Sequence, residues 1–251
     1  MVKGISFDFW DTLFIDDSDE KKRMGLGLCS KIEERFQLLE KHLSFNGDAS
    51  SFLKSAITFE KNWFEVEWKS KHRTPSVEKR IKKICEHLKI NISKESTLEI
   101  ASKFENMEVE IQPDPLESCF NTLKELGKDY KLAITSDTIY TPGQGIKKIL
   151  NDHGMLNLFE CFSFSNEVGF SKPQKEIFLN TLNNLGLGPE EVVHIGDRLY
   201  NDVFGGQRSG LKTIWLNWKG TNQGESAQDI KADFEIKSLG ELPRVLRELS
   251  S

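Results

Sequence analysis

Residues 1–13 read Met1-Val2-Lys3-Gly4-Ile5-Ser6-Phe7-Asp8-Phe9-Trp10-Asp11-Thr12-Leu13. Val2, Ile5, Phe7 and Phe9 form a short β-rich run that ends in acids, which predicts a buried strand over residues 2–9. The sheet does not continue from there. From about Asp16 to Glu110 the chain is charged and periodically apolar. Ile32, Phe36 and Leu39 fall at helical spacing, as do Phe52, Ile57, Phe64 and Trp68. Residues 76–88 and 93–107 also read as helices, with Ser76 and Ser93 as N-caps. The first strand is therefore cut off from whatever sheet it joins by an all-helical block of about ninety residues.

Beyond Gln112 the texture changes. Helices are expected at 115–126, 145–153, 175–185, 203–209 and 242–249. Strands are expected at 131–135, 161–165, 192–195, 213–216 and, more weakly, 234–236. Such β–α alternation implies a parallel sheet with helices on both faces. The expected fold class is thus α/β: a doubly wound parallel sheet made by residues 1–15 and 111–251, carrying an inserted helical domain at 16–110.

Composition excludes several function classes. The 251 residues are 37% apolar, enough for a sizeable core. Thirty-four Lys and Arg against 39 Asp and Glu leave a net charge of −5 without a basic stripe, which argues against nucleic acid as a partner. No uncharged apolar run reaches the length of a membrane span, and Asp8 interrupts any signal-like start, so a cytoplasmic protein with no membrane partner is expected. Cys29, Cys85, Cys119 and Cys161 show no paired spacing and read as free thiols.

In a doubly wound sheet, ligands bind at the carboxyl ends of the strands, where strand order reverses. The residues just after each strand are Asp8; Ser136 and Asp137; Lys172; and Asp197, with Asp202 five residues on. Carboxylates forced together repel unless a hard cation neutralises them, and an all-oxygen set suits Mg²⁺. A carboxylate nucleophile can accept a phosphoryl group, while a Lys and a hydroxyl donate to its equatorial oxygens.

These segments resemble the motifs of the haloacid dehalogenase (HAD) superfamily, in the subclass whose helical cap follows the first strand. Four appear in order: Phe7-Asp8-Phe9-Trp10-Asp11-Thr12-Leu13, Leu132-Ala133-Ile134-Thr135-Ser136-Asp137, Ser171-Lys172-Pro173, and Ile195-Gly196-Asp197-Arg198-Leu199-Tyr200-Asn201-Asp202. The resemblance implies a Rossmann-like core with Asp8 as the nucleophile that becomes aspartyl-phosphate. It implies Mg²⁺ held by Asp8, the Trp10 backbone carbonyl, Asp197 and Asp202. Ser136 and Lys172 are implied to bind the transferring group, with Trp10, Thr12 and Asp137 also at the substrate. The implied activity is hydrolysis of a small phosphorylated metabolite.

The chain departs from the family pattern at one place. Phosphatases of this family carry an acid–base Asp two residues after the nucleophile, and here that place holds Trp10. Asp11 is adjacent, but side chains alternate along an extended segment, so it is expected to point elsewhere. Trp10 keeps two further readings open: a catalytically weak member that binds a phosphorylated ligand or a protein, and a haloacid dehalogenase, which carries an aromatic there. Retained Asp197 and Asp202 favour phosphoryl chemistry over the dehalogenase. Single residues also admit two roles each. Trp10 packs under the cap or walls the pocket, and Asp202 serves the metal or caps a helix starting near Val203. Thr135 competes with Ser136 for the motif position. His194 reads as a core histidine, Trp63, Phe64 and Trp68 as cap core or seam, and Arg35 and Arg73 as solvated; His72 and Arg73 lie in the cap with nothing to place them at the site.

Overall fold

The computed structural model describes residues 1–43, 48–220, 227 and 229–250. Its six strands form one parallel sheet in the order β3-β2-β1-β4-β5-β6. They are β1 (Gly4–Phe7), β2 (Lys131–Ser136), β3 (Cys161–Phe164), β4 (Val192–Gly196), β5 (Lys212–Leu216) and β6 (Phe234–Ile236). All four residues of β1 are buried, as a central parallel strand covered on both faces requires. From β1 the chain runs outward to β2 and β3 on one side and to β4, β5 and β6 on the other. The order therefore reverses between β1 and β4, and the crevice beyond their carboxyl ends is the place such a sheet offers a ligand.

Before returning to the sheet, the described chain builds helices α1 (Asp19–Gly25), α2 (Lys31–His42), α3 (Ala49–Glu65), α4 (Val77–Leu88) and α5 (Lys94–Glu110). Ser30, Ser76 and Ser93 each accept a backbone N–H in the first turn, the capping that their residue types predict. Phe36, Leu39, Phe52, Ile81, Ile84, Ile100 and Phe104 interlock as an apolar cluster separate from the sheet's own. The sheet is covered on one face by α6 (Cys119–Leu126), α7 (Gly143–Asp152) and α11 (Leu242–Ser250), which bury Ile5, Phe7 and Ile195. On the other face α9 (Lys175–Leu185) packs over Ala133 and Val192. Two short helices, α8 (Ser165–Val168) and α10 (Gly205–Arg208), follow β3 and precede β5, respectively.

Among the boundaries that differ from expectation, three have a clear local reason. Strand β1 ends at Phe7 because the Phe9 carbonyl instead receives the N–H groups of Thr12, Leu13 and Phe14, folding the chain into a tight loop. Helix α6 starts at Cys119 and not at 115, because Pro115 bridges to Phe14, Leu116 donates to the Leu13 carbonyl, and Ser118 takes φ +63°. The helix expected over 203–209 is a π-helical turn, Leu199–Phe204, followed by α10. A second π-helical turn, Val66–Ser70, ends α3. Such turns are found disproportionately at functional sites, and both of these line the same crevice.

The helical block is fastened to the loop after β2 through Arg80, whose charge is paired inside the block with Glu60. Arg80 donates Nε to Glu60 at 2.7 Å and Nη1 to the Ile139 carbonyl at 2.6 Å, while Arg80 and Arg35 stack on the Tyr140 ring at 3.7 and 3.6 Å. Removing one partner of a buried pair strands the other charge. Glu60→Ala is expected to lower the unfolding free energy by ~3–5 kcal/mol in a urea titration. A loss under ~1 kcal/mol, the range of exposed pairs, would show that Arg80 is not held by Glu60.

Candidate active site

Asp8 leaves the end of β1 with its N–H bonded to the Ile195 carbonyl, so the two central strands fix its backbone. Its carboxylate lies 2.7 Å from Lys172 Nζ. The same ammonium lies 2.5 Å from Asp202 Oδ1, and all three side chains are almost completely buried. Burial alone disfavours charge on Lys172, but Asp202, Asp8 and Asp137 overcome it and raise its pKa, so the ammonium stays charged.

Asp202 is anchored from three directions. Besides Lys172, its Oδ1 meets His194 Nε2 at 3.2 Å, and its Oδ2 accepts the Arg198 N–H at 2.9 Å. Burial pushes its carboxyl up, yet Lys172 and His194 prevail and hold it well below the usual carboxylate range. Asp202 thus bonds backward into its own turn and does not cap a helix at Val203. Gly196 permits this approach, because a Cβ there would sit 2.2 Å from Asp202 Cγ. His194 is a core histidine, and its other nitrogen meets Ser6 Oγ at 3.0 Å. Ser6 continues to Thr135 at 2.7 Å and Thr135 to Thr181 at 2.5 Å. This buried polar chain crosses β4, β1, β2 and α9 beneath the site, a function for small hydroxyls that strand periodicity does not reveal.

One ligand atom from each of Asp8, Asp197 and Asp202 falls within 4.8 Å of the others. Burial first, and then the neighbouring charges of Asp202 and Asp8, push the Asp197 carboxyl well above its ordinary value. With Asp137, four carboxyl groups crowd around Lys172 and Arg198, more acids than cations. That donor set and charge fit a hard divalent cation.

Asp137 links sheet and helical block. Its Oδ1 accepts the Lys172 N–H at 2.9 Å, and its Oδ2 accepts Trp68 Nε1–H at 3.0 Å and Asn201 Nδ2–H at 3.4 Å. Burial, only partly offset by Lys172, pushes its carboxyl up to about 6. Trp68 is therefore a seam residue, as expected.

The remaining sequence candidates are placed unevenly. Ser136 is buried, its hydroxyl donating to the Asp137 carbonyl at 3.3 Å, whereas Thr135 belongs to the polar chain beneath the sheet. Thr12 is fully buried in the first loop, and its hydroxyl has no hydrogen-bond partner among the described residues. Asp11 is engaged elsewhere, pairing with Lys219 at 2.6 Å, but not by strand alternation: it takes φ +54°, a left-handed conformation in a tight loop and not in an extended segment. Arg35, expected to be solvated, is 4% exposed, because the Tyr140 face covers it.

Three cavities meet here. A small one of about 50 Å³ is lined by Asp8, Trp10, Asp16, Asp137, Lys172 and Arg198, among others. Toward the helical block, a second of about 240 Å³ shares Trp10 and Asp16 and adds Lys31, Arg35, Glu108 and Tyr140. A third, about 460 Å³, opens past Trp68, His72, Tyr200 and Asn201. Trp10 is half-buried against the sheet core and edge-on to Phe9, and it walls two of the three. His72 reaches the third cavity, while Arg73 is exposed. Asp16, unremarkable in sequence, is the site residue that periodicity and motif reading pass over.

Comparison with known proteins agrees with this architecture. The chain is 34% identical over 131 residues to glyceraldehyde 3-phosphate phosphatase of Methanopyrus kandleri, covering 51% of this chain and 53% of that protein. It is 35% identical over 95 residues to the pyrimidine 5'-nucleotidase YjjG of Escherichia coli, covering 37% and 40%. The chain thus spans about half the length, or less, of these curated relatives. Two solved structures share the fold over nearly all of both chains. The magnesium-bound HAD-hydrolase YfnB of Bacillus subtilis has a TM-score of 0.66 at 21% identity and 98% coverage of each chain. A 2-haloacid dehalogenase of Pseudomonas syringae has 0.72 at 19% identity and 99% coverage of each. The family model for haloacid dehalogenase-like hydrolases matches residues 49–216, two-thirds of the sequence, and the chain belongs to that family.

Proposed function

We propose that the protein is a Mg²⁺-dependent phosphatase of a small phosphorylated metabolite, working through an aspartyl-phosphate on Asp8. The observation that carries this reading is the buried Asp8–Lys172–Asp202 arrangement beside Asp197. Several relatives are named as phosphatases, a nucleotidase or a pyrophosphatase, which supports the reaction class and leaves the individual substrate open.

In this reading Asp8 attacks phosphorus with an oxygen that Lys172 orients, and the Lys172 ammonium also stabilises the equatorial oxygens as charge moves onto them. Ser136, once its hydroxyl turns from the Asp137 carbonyl, is a second donor. Asp8, Asp197 and the Trp10 carbonyl would hold the metal. Asp202, whose oxygens already serve Lys172, His194 and the Arg198 N–H, would complete the set directly or through water. A divalent cation there supplies charge balance and polarises the phosphoryl oxygens. Thr12 would brace the first loop, Asp137 would set the height of Lys172, and Trp10 would wall the pocket. Residues 16–110 would act as the cap over a core of 1–15 and 111–251, excluding water and selecting the leaving group.

Trp10 favours a second reading, a member that binds a phosphorylated ligand without turnover. An activated aryl phosphate separates the two, since its leaving group hardly needs a proton. Mg²⁺-dependent release of the aryl alcohol, abolished in Asp8→Asn, is the expected result. A folded protein that is stabilised by phosphate and Mg²⁺ yet releases nothing supports the binding protein, and metal-independent halide release from a 2-haloacid supports a dehalogenase.

The metal assignment has its own measurement. A ligand that binds only the folded state stabilises it by mass action, about 2.7 kcal/mol at a hundredfold excess over Kd. Millimolar Mg²⁺ is expected to raise the melting temperature of the wild type and to leave that of Asp197→Asn unchanged. Equal shifts in both proteins would remove Asp197 from the metal site.

A further inference from the structure

Trp10 occupies the place from which the family's acid–base carboxyl acts, so the leaving oxygen needs a proton from elsewhere. Among the described residues, the carboxyls lining the small cavity at Asp8 are Asp8 itself, Asp137 and Asp16. Asp137 is excluded by its bonds: both oxygens are taken by the Lys172 N–H, Trp68 and Asn201. Asp11 is excluded by direction, because it is held by Lys219 and receives the Asp16 N–H at 3.1 Å. Asp16 is left, and its carboxyl takes no hydrogen bond from the described residues.

The first loop delivers Asp16 there. Three N–H groups converge on the Phe9 carbonyl, Phe14 bridges back to Trp10, and Ile15 donates to the Asp114 carbonyl. The chain therefore returns past its own Trp10, and the Asp16 N–H is fastened to Asp11. Asp16 ends on the boundary between the cavity at Asp8 and the 240 Å³ cavity toward the helices. A phosphomonoester with its phosphoryl group at Asp8 and its alcohol part in the larger cavity carries its scissile oxygen across that boundary.

We propose that Asp16, reaching in from the end of the first loop, is the acid–base group that serves the leaving oxygen in place of residue 10; this rests on the phosphatase reading. In the first step an Asp8 carboxylate oxygen bonds to phosphorus and the phosphorus–ester oxygen bond breaks. The Asp16 carboxyl proton passes to the departing oxygen, giving the alcohol, aspartyl-phosphate and an Asp16 carboxylate. In the second step that carboxylate takes a proton from water as the water oxygen bonds to phosphorus. The bond from phosphorus to Asp8 breaks, inorganic phosphate leaves, and both carboxyl groups regain their starting forms.

The surroundings suit the task. Burial, then Asp17, Glu108 and Asp11, push the Asp16 carboxyl up to about 6, against the pull of Lys31. Glu20 and Arg35 also face the larger cavity, and Asp8, Asp137, Lys172 and Arg198 face the smaller one. A donor must be protonated, so alcohol release from a poor leaving group is expected to slow as pH rises through about 6 and beyond.

The test is single-turnover alcohol release from a series of alkyl phosphomonoesters and from an activated aryl phosphate, in wild type, Asp16→Asn and Asp8→Asn. Asp16→Asn is expected to slow alkyl release by ~10²–10⁴, to change aryl release by no more than about twofold, and to flatten the pH limb of the alkyl reaction. Preserved aryl release is also the proof that the variant is folded. Equal losses on both substrate classes, no loss on either, or a wild type that cleaves the aryl but none of the alkyl esters would each overturn the assignment to Asp16 while leaving the phosphatase reading intact. A wild type that releases neither alcohol defeats that reading first, and Asp16's role with it.

Discussion

A single buried ammonium organises this site. Lys172 Nζ stands 2.7 Å from Asp8 and 2.5 Å from Asp202, with almost no solvent to share its charge. Neither carboxylate tolerates burial beside the other without it, and the ammonium tolerates burial only because both are there. The fold meets the constraint by bringing three separate strand ends together: β1 for Asp8, β4 for Asp202's turn, and β2, whose Asp137 fastens the Lys172 backbone. His194, Ser6, Thr135 and Thr181 hold Asp202 from below, so the lower face of the sheet is committed to the same end.

A helical block laid over such a site must be coupled to it. Several contacts do this: the His72 carbonyl accepts the Ser171 N–H at 2.8 Å, Thr74 meets Ser165 and Ser171, and two more reach the loop after β2. Trp68 donates its indole N–H to Asp137, and Arg80 grips the carbonyl of Ile139 while sharing Tyr140 with Arg35. These last two hold that loop, while the bonds to Ser171 hold the residue next to Lys172, so the helices are tied to the backbone on both sides of the ammonium's support. The π-helical turns at Val66–Ser70 and Leu199–Phe204 face one another across the largest of the three cavities, one presenting Trp68 and the other Tyr200 and Asn201.

Much of this is legible in the sequence. Alternating strands and helices after Gln112 point to the doubly wound sheet, because buried parallel strands and amphipathic helices have different periods. Asp8, Lys172, Asp197 and Asp202 stand out because strand ends converge in such a sheet, and the structure brings them together. What cannot be read depends on backbone geometry and distant partners. The late start of α6 follows from Pro115 pairing with Phe14, and the burial of Arg35 follows from Tyr140, over a hundred residues away. Asp202's backward bond to Arg198 follows from a π-helical turn. Asp16 escapes notice for the same reason: only the loop's return past Trp10 carries it to the crevice.

The central claim is that Asp8 becomes covalently phosphorylated. Acid quenching during turnover of an activated aryl phosphate with Mg²⁺, followed by peptide mass analysis, reads this directly. The account predicts a phosphoryl adduct on the peptide containing Asp8, absent in Asp8→Asn. Release of the aryl alcohol without any such adduct, or with the label on another residue, would contradict it.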